Sequence, residues 1–432
     1  MISVTGPRRT GKTVLLHQVI ADLIRGGVPR DRVLFCSLDD PALGAAGRQP
    51  GEFLDALARH ASALGKSSDP FYFFLDEIQR FERWELHVKK IYDLETPVRI
   101  VFSGSASSPI FRKSRESLLG RVKDHHILPF SFREFLLFQA REEPGWRQDL
   151  ADLLEACRPL KEEALEDANP APGAAFPTPP PPLRQRIDEA LKRYLLEGGF
   201  PEVWSLPDWV SKQDYLYEHQ VNKVIYEDLV LAAELRKPEA LKRFYLSLLE
   251  SPGREVSLQG MSEETGVNAQ QIEKYLPLLE MTDLVFRVEK FRSSPLRVRR
   301  GRMKFYLVDL ALRNAVLRLA RGPLDDPAVL GLYAENLVGL ALRKWRGAVS
   351  LDYYREGDEE VDFIVHPGGR KYLPVEVKFR ETIEARSLRP LQAFQRRHPA
   401  YTPILVTKRW EDFGPAEGAF RIPLAMFLLA FD

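Results

Sequence analysis

The 432 residues carry 62 Lys and Arg against 61 Asp and Glu, a net charge of +1, with 44% hydrophobic residues and only two cysteines. This is the composition of a soluble globular protein with material for about three domains, and its near-neutrality excludes a chain basic throughout, so any nucleic-acid surface must be a local patch. Cys36 and Cys157 form neither a metal pattern nor a disulfide framework, no apolar run approaches the ~18 residues of a membrane span, and no signal peptide opens the chain, so a cytoplasmic protein with no membrane partner is expected.

Ile2 to Val4 predicts a buried strand. Gly6, Pro7, Arg8, Arg9, Thr10, Gly11, Lys12 and Thr13 then fit the pattern G-x-x-x-x-G-K-[ST], and Val14 to Ile24 has helical apolar spacing that stops at Gly26-Gly27. Strand, loop and helix stand in the order that a phosphate-binding loop requires. Gly6 and Gly11 let the backbone curl so that successive N–H groups point inward, and the helix N-terminus adds its dipole. Lys12 is expected to reach the β- and γ-phosphates of ATP, and the Thr13 hydroxyl to hold Mg²⁺.

Arg32 to Leu38 predicts a second strand, Phe53, Leu54, Leu57, Ala61 and Leu64 mark a helix, and Phe71 to Glu77 is a continuous apolar run ending in two carboxylates. Such runs suit central strands of a parallel sheet, where chemistry collects at the C-terminal strand ends. Asp76 is therefore expected in the Mg²⁺ shell and Glu77 as the group that polarises the attacking water. Val98 to Ser105 is a further strand. Ser103, near its end, either senses the γ-phosphate or caps the next turn.

Leu75-Asp-Glu-Ile-Gln-Arg80, Phe102-Ser-Gly-Ser105, Leu119-Gly-Arg121, Pro129-Phe-Ser-Phe-Arg-Glu-Phe135 and Gly198-Gly-Phe-Pro-Glu-Val203 follow one another in order. In this the chain resembles the predicted AAA-type P-loop ATPases of bacteria and archaea that carry a winged helix and a C-terminal restriction-endonuclease-like domain. The resemblance covers nearly the whole chain. It implies that Arg121, in the family's Gly-Arg, is an arginine finger toward a neighbouring subunit, and so a homo-oligomer. Members carry a few dozen residues before the phosphate loop, including a helix near the base; here the chain enters its first strand at once, so the base pocket is expected to be incomplete or the start site misplaced.

Glu142 to Leu183 reads as an insertion ending in a linker, since seven of the thirteen residues from Pro170 to Pro182 are Pro. Helical spacing returns through Leu191, Tyr194 and Leu195 and again from Tyr215 to Leu235, as a lid-like bridge. Leu241 to Val308 reads as a winged helix, with helices at Phe244–Leu249, Leu258–Thr265 and Ala269–Leu279 and strands at Leu284–Val288 and Lys304–Val308. Its third helix is poor in base-reading donors, but the loop 292–304 carries Arg292, Arg297, Arg299, Arg300, Arg302 and Lys304 without an interleaved acid, the footprint of a DNA-backbone contact or of a protein-docking surface.

In the last hundred residues Tyr333 to Leu342 predicts a helix bearing Glu335, and Glu359 to Val365 and Leu373 to Lys378 a hairpin. Alternation puts Glu376 and Lys378 on one strand face, with Asp362 on the neighbouring strand. The resemblance makes Glu335, Asp362 and Glu376 carboxylates for a divalent metal and Lys378 the residue that orients the hydrolytic water; a solvated ion pair is the plainer reading.

The expected architecture is α/β: a P-loop parallel-sheet ATPase core over 1–140, the insertion over 141–183, a helical lid over 184–240, a winged helix over 241–328 and a restriction-endonuclease-like domain over 329–432. The expected function is ATP binding and hydrolysis coupled to DNA binding or processing. Two rivals are a nucleotide-dependent switch with an inert C-terminal scaffold, and an ATP-licensed, metal-dependent nuclease.

Overall fold

The computed structural model describes residues 1–41, 50–64, 70–81, 83–105, 118, 120–165, 179–230, 238–292, 301–345, 347–416 and 418–431. Arg297, Arg299 and Arg300 of the basic loop, Leu119, and residues 170–178 of the Pro-rich stretch lie outside them. Among the described residues no helix is long and apolar enough to cross a membrane. The chain divides into two compact units, one made of Met1–Pro129, Glu218–Pro238 and Met281–Asp283, the other of the remainder.

The first unit is built on five parallel strands: β1 (Ile2–Gly6), β2 (Val33–Ser37), β3 (Phe71–Asp76), β4 (Val98–Ser105) and β5 (Lys123–His126), in the order β2-β3-β4-β1-β5. The apolar runs make this sheet possible because both of its faces are covered. Along β3, Phe74 packs with Val4 and Leu16 of the helix Lys12–Arg25. The next residue, Leu75, packs on the opposite side with Leu54, Trp84, Val88 and Phe102. Successive side chains of a strand alternate in this way, so one apolar run serves two cores. Every strand runs the same way, which brings Gly6, Asp76 and Ser103 to one edge of the sheet.

The second unit contains a nine-stranded sheet of β6 (Glu255–Val256), β7 (Val285–Lys290), β8 (Met303–Leu307), β9 (Ser350–Glu356), β10 (Glu359–His366), β11 (Leu373–Lys378), β12 (Ile404–Thr407), β13 (Gly414–Ala416) and β14 (Ala419–Pro423). Its order is β13-β14-β12-β11-β10-β9-β7-β8-β6. The helices Pro238–Glu250, Leu258–Thr265 and Ala269–Met281 precede the antiparallel pair β7–β8, and Pro277 is accommodated inside the last of them. The helix Pro327–Lys344 then leads into the antiparallel meander β9–β10–β11, and the helix Arg389–Arg397 carries the chain to β12, parallel to β11. Parallel pairing of Glu289 with Asp352 and Lys290 with Tyr353 fuses both parts into one sheet, so the boundary expected at 328–329 does not separate two sheets.

Two sequence expectations are corrected. The insertion after Glu142 holds the helices Pro144–Cys157 and Pro159–Glu163, which bury Leu150, Leu153, Cys157 and Leu160, and the linker at its end stops short of Pro181. Pro181 and Pro182, the end of the tract, are the first residues of the helix Pro181–Glu197, where a missing N–H costs nothing. The second correction is Lys304. It is 3% exposed in the interior of β8 and does not belong to a solvated basic loop, and Arg302 pairs with Glu255 at 3.1 Å.

The Gly198-Gly199 pair also has a physical reason. Gly198 has φ +70, and a Cβ on it would lie 2.1 Å from Asp309 Oδ1; a Cβ on Gly199 would lie 2.1 Å from the Phe130 carbonyl oxygen. The Gly199 N–H donates to Asp309 Oδ2 at 2.7 Å, and the Phe130 N–H to the Gly199 oxygen at 2.8 Å.

Candidate functional site

The phosphate loop leaves β1 through Gly6, whose φ is +149. A Cβ on Gly6 would lie 1.9 Å from the Ile127 carbonyl oxygen, so no side chain fits there. Arg9 at φ 64 and Gly11 at φ 89 complete the curl, and the Thr10 hydroxyl ties it by donating to Pro7 O at 2.9 Å. The helix Lys12–Arg25 starts directly after Gly11, with no side-chain cap at its N-terminus. Lys12 folds over the loop and donates to Gly6 O at 3.2 Å and Pro7 O at 2.6 Å. Burial pulls its ammonium below the ordinary value, against the opposing pull of Glu77 and Asp76.

Thr13 Oγ1 donates to Asp76 Oδ2 at 2.6 Å, while the Ser103 hydroxyl and the Glu77 N–H donate to Asp76 Oδ1, the latter at 3.1 Å. Four of the residues singled out in the sequence thus meet at the ends of the loop, β3 and β4. Ser103 is fully buried and its hydroxyl is engaged with Asp76. Glu77 sits in the left-handed region at φ 52, and Gln79 donates to its carboxylate. Arg121 donates to Asp93 of its own chain at 3.0 Å.

Sequence reading missed the other residues around the loop. Gln220 donates to Arg8 O at 3.1 Å, and Glu227 lies 3.9 Å from the Arg8 guanidinium. His126 bridges Thr5 Oγ1 at 2.9 Å and the buried Asp283 at 3.0 Å. Gln220, Glu227 and Asp283 come from segments distant in sequence, so no local pattern marks them.

In the second unit the structure brings Glu335, Asp362, Glu376 and Lys378 together. The register shifts between Val361 and Ile364, a bulge that re-aims the strand at Asp362. Asp362 Oδ2 accepts from the Val377 N–H at 2.9 Å, Glu376 Oε2 from the Asp362 N–H at 3.2 Å, and Lys378 pairs with Glu376. Burial, then the neighbouring Asp362, pushes Glu335 up to about 7 and Glu376 up to about 8. The unexpected member is Lys304, whose Nζ lies 2.7 Å from Glu360, 3.3 Å from Glu335 and 4.0 Å from Asp362. A lone Lys inside the apolar strand Met303–Leu307 is the signal that could have found it, since buried lysines are paired.

Comparison with known proteins matches three stretches of the chain. Residues 1–136 match the family described as AAA domain, residues 188–322 a domain of unknown function, DUF8612, and residues 330–427 another, DUF4143. An uncharacterized protein of Methanocaldococcus jannaschii is 24% identical over 397 residues, 89% of this chain and 76% of its own length. An uncharacterized protein of Haemophilus influenzae is 23% identical over 381 residues, 87% of this chain and 82% of its own length. Among solved structures, the S. cerevisiae Hsp104–casein complex in its extended conformation aligns at 14% identity and a TM-score of 0.26, over 65% of this chain and 46% of that chain, so less than half of its length is spanned. The AAA match, the parallel strand order and the phosphate loop together support a AAA-type P-loop ATPase domain in residues 1–136. Binding and hydrolysis of ATP are the activities that go with it.

Proposed function

We propose that the chain binds ATP with Mg²⁺ and hydrolyses it at the edge where Thr13, Asp76 and Ser103 meet. The observation that carries this is the Thr13–Asp76 hydrogen bond of 2.6 Å, because it joins the hydroxyl and the carboxylate that hold Mg²⁺ in P-loop hydrolases. The residues fit the ion: two oxygen donors converge, and Ser103 orients the carboxylate. Bound Mg²⁺ would offset the charge of the phosphates. The N–H groups of Gly6 and of residues 8–13 and the Lys12 ammonium would hold the phosphates, Lys12 exchanging its loop carbonyls for them. Glu77 would align the attacking water, its carboxylate held by Gln79. Arg121, paired with Asp93 in its own chain, would act on a neighbouring subunit's nucleotide after leaving that pair. Phosphate release from ATP tests the reading: the wild type should turn over with Mg²⁺ and Lys12→Ala should not, whereas no release by the wild type under any condition would overturn it.

The second reading couples this cycle to DNA. Helix, short strand, two helices and a hairpin in succession support a winged helix over 238–307, and a helix, three antiparallel strands, a helix and a parallel strand support a restriction-endonuclease-like arrangement over 327–407. Arg297, Arg299 and Arg300 retain the unbroken basic run that favours phosphate contact, whereas Lys304 is withdrawn from it.

A further inference from the structure

Glu335, Asp362 and Glu376 are the carboxylates to which the resemblance assigns a divalent cation, and four of their six oxygens are already engaged. Asp362 Oδ2 and Glu376 Oε2 accept backbone N–H groups, Glu376 Oε1 pairs with Lys378, and Glu335 Oε1 accepts from the Tyr306 hydroxyl at 2.7 Å. Among the described residues no group of three His, Cys, Asp or Glu side chains is placed to hold a metal ion. A divalent ion drawn to these carboxylates would meet the Lys304 ammonium at short range, a repulsion that burial strengthens. The donor set does not fit the metal.

We infer that Lys304 is the resident cation of this cluster and supplies the positive charge that a divalent ion supplies in a metal site, so that the wild-type protein takes no metal through Asp362. Its side chain is 4% exposed, and a charge that deep is tolerated only when paired and hydrogen-bonded. An ammonium has three donors; here Glu360 and Glu335 lie within reach and Asp362 closes the third side at 4.0 Å. Burial alone would lower the Lys304 pKa, yet Glu335, Asp362 and Glu360 hold it above the ordinary value.

The position is also built. Asn336 accepts from the Leu307 N–H and donates to the Leu307 carbonyl, both at 2.8 Å, which pins β8 to the helix that carries Glu335. Lys304 and Tyr306, two residues apart on β8, share the face that meets Glu335. A Gly at 253 leaves room beside them, since a Cβ there would lie 3.0 Å from Glu335 Oε1. Strand, helix and turn therefore fix the Lys304 ammonium among the carboxylates, beside the Lys378–Glu376 pair.

The test counts bound Mn²⁺ by electron paramagnetic resonance on the full chain, free of nucleotide and stripped with EDTA. Wild type and Asp362→Asn should bind the same number of ions. Lys304→Met, which keeps the unbranched stem one atom shorter and removes the charge, should bind one more, and the gain should vanish in Lys304→Met/Asp362→Asn. If Asp362→Asn binds one ion fewer than the wild type, the inference is overturned. It is equally overturned if folded Lys304→Met, checked by near-ultraviolet circular dichroism, gains none. Should Lys304→Met fail to fold, the comparison of wild type with Asp362→Asn decides alone.

Discussion

The Thr13 hydroxyl meets the Asp76 carboxylate at 2.6 Å, joining the end of the phosphate loop to the end of β3 across 63 positions of sequence. Ser103 and the Glu77 N–H hold the other oxygen of Asp76, so the carboxylate is oriented from three sides. Asp76→Asn keeps the shape and loses the charge. It should weaken Mg²⁺–ATP binding roughly 10- to 100-fold, the size of about 1.5–3 kcal/mol for a hydrogen bond to a charged group. Binding of ATP in EDTA should change much less. Titration of a fluorescent ATP analogue with and without Mg²⁺ checks this, and an equal loss in both conditions would make Asp76 a support of the loop and not of the ion.

Arg121 offers a test of assembly. In its own chain it pairs with Asp93 at 3.0 Å, and as an exposed ion pair that contact is worth little. Arg121→Ala should therefore leave thermal stability nearly unchanged and lower ATP turnover; arginine fingers supply about 10³–10⁵ in rate in other hydrolases. Mixing Arg121→Ala with Lys12→Ala should restore part of the activity, because each variant supplies what the other lacks. No recovery on mixing would assign Arg121 to the Asp93 pair alone.

Asp309 predicts a pH dependence of stability. It is fully buried, and burial raises its carboxyl to about 6 although it accepts N–H groups from Gly199 and Ala311. Its folded value lies above the unfolded 3.8, so between these values the folded state holds a proton that the unfolded state has released. Its contribution is therefore most favourable below about 4 and is lost as pH rises through about 6, by roughly 3 kcal/mol. Glu335 and Glu376 add slopes of the same sign at higher pH, so the measurement is a difference: melting temperatures of wild type and Asp309→Asn across pH 4 to about 7. The wild type should lose ground to the variant as pH rises; parallel curves would contradict the assignment.

The basic run predicts a salt effect. Arg299 and Arg300 changed together to Glu should weaken binding of all DNA sequences alike. The slope of log K against log salt should flatten by about 0.9 for each phosphate that the protein no longer neutralises. Unchanged affinity would leave the run to protein docking.

Four strands of the first unit were legible because burial writes itself into composition: Phe71 to Leu75 is apolar throughout, and the change to Asp76 and Glu77 marks where the strand leaves the core, whereas the polar Lys123–His126 gave no such signal. Glu376 and Lys378 were legible as well, since strand alternation is a local rule. Lys304 was misread because a sequence groups charges by chain distance, and its partner Glu335 lies 31 positions away on another element. Asp283 and Gln220 were illegible for that reason too: each reaches its contact from more than a hundred residues away, with |i−j| of 157 and 212. The end of the Pro-rich tract was misread for a different reason. Pro181 and Pro182 count as linker by composition, yet proline suits the first turn of a helix, and they open Pro181–Glu197.

The proposed hydrolysis turns on Glu77, the carboxylate beside Asp76 held by Gln79. Glu77→Gln preserves shape and removes the charge that polarises water. The most direct measurement is single-turnover hydrolysis of radiolabelled ATP by wild type and Glu77→Gln, with nucleotide affinity determined on the same samples. The account predicts equal affinity and a rate lower by about 10²–10⁴ in the variant, the usual contribution of a general base. Equal rates in the two proteins would contradict it.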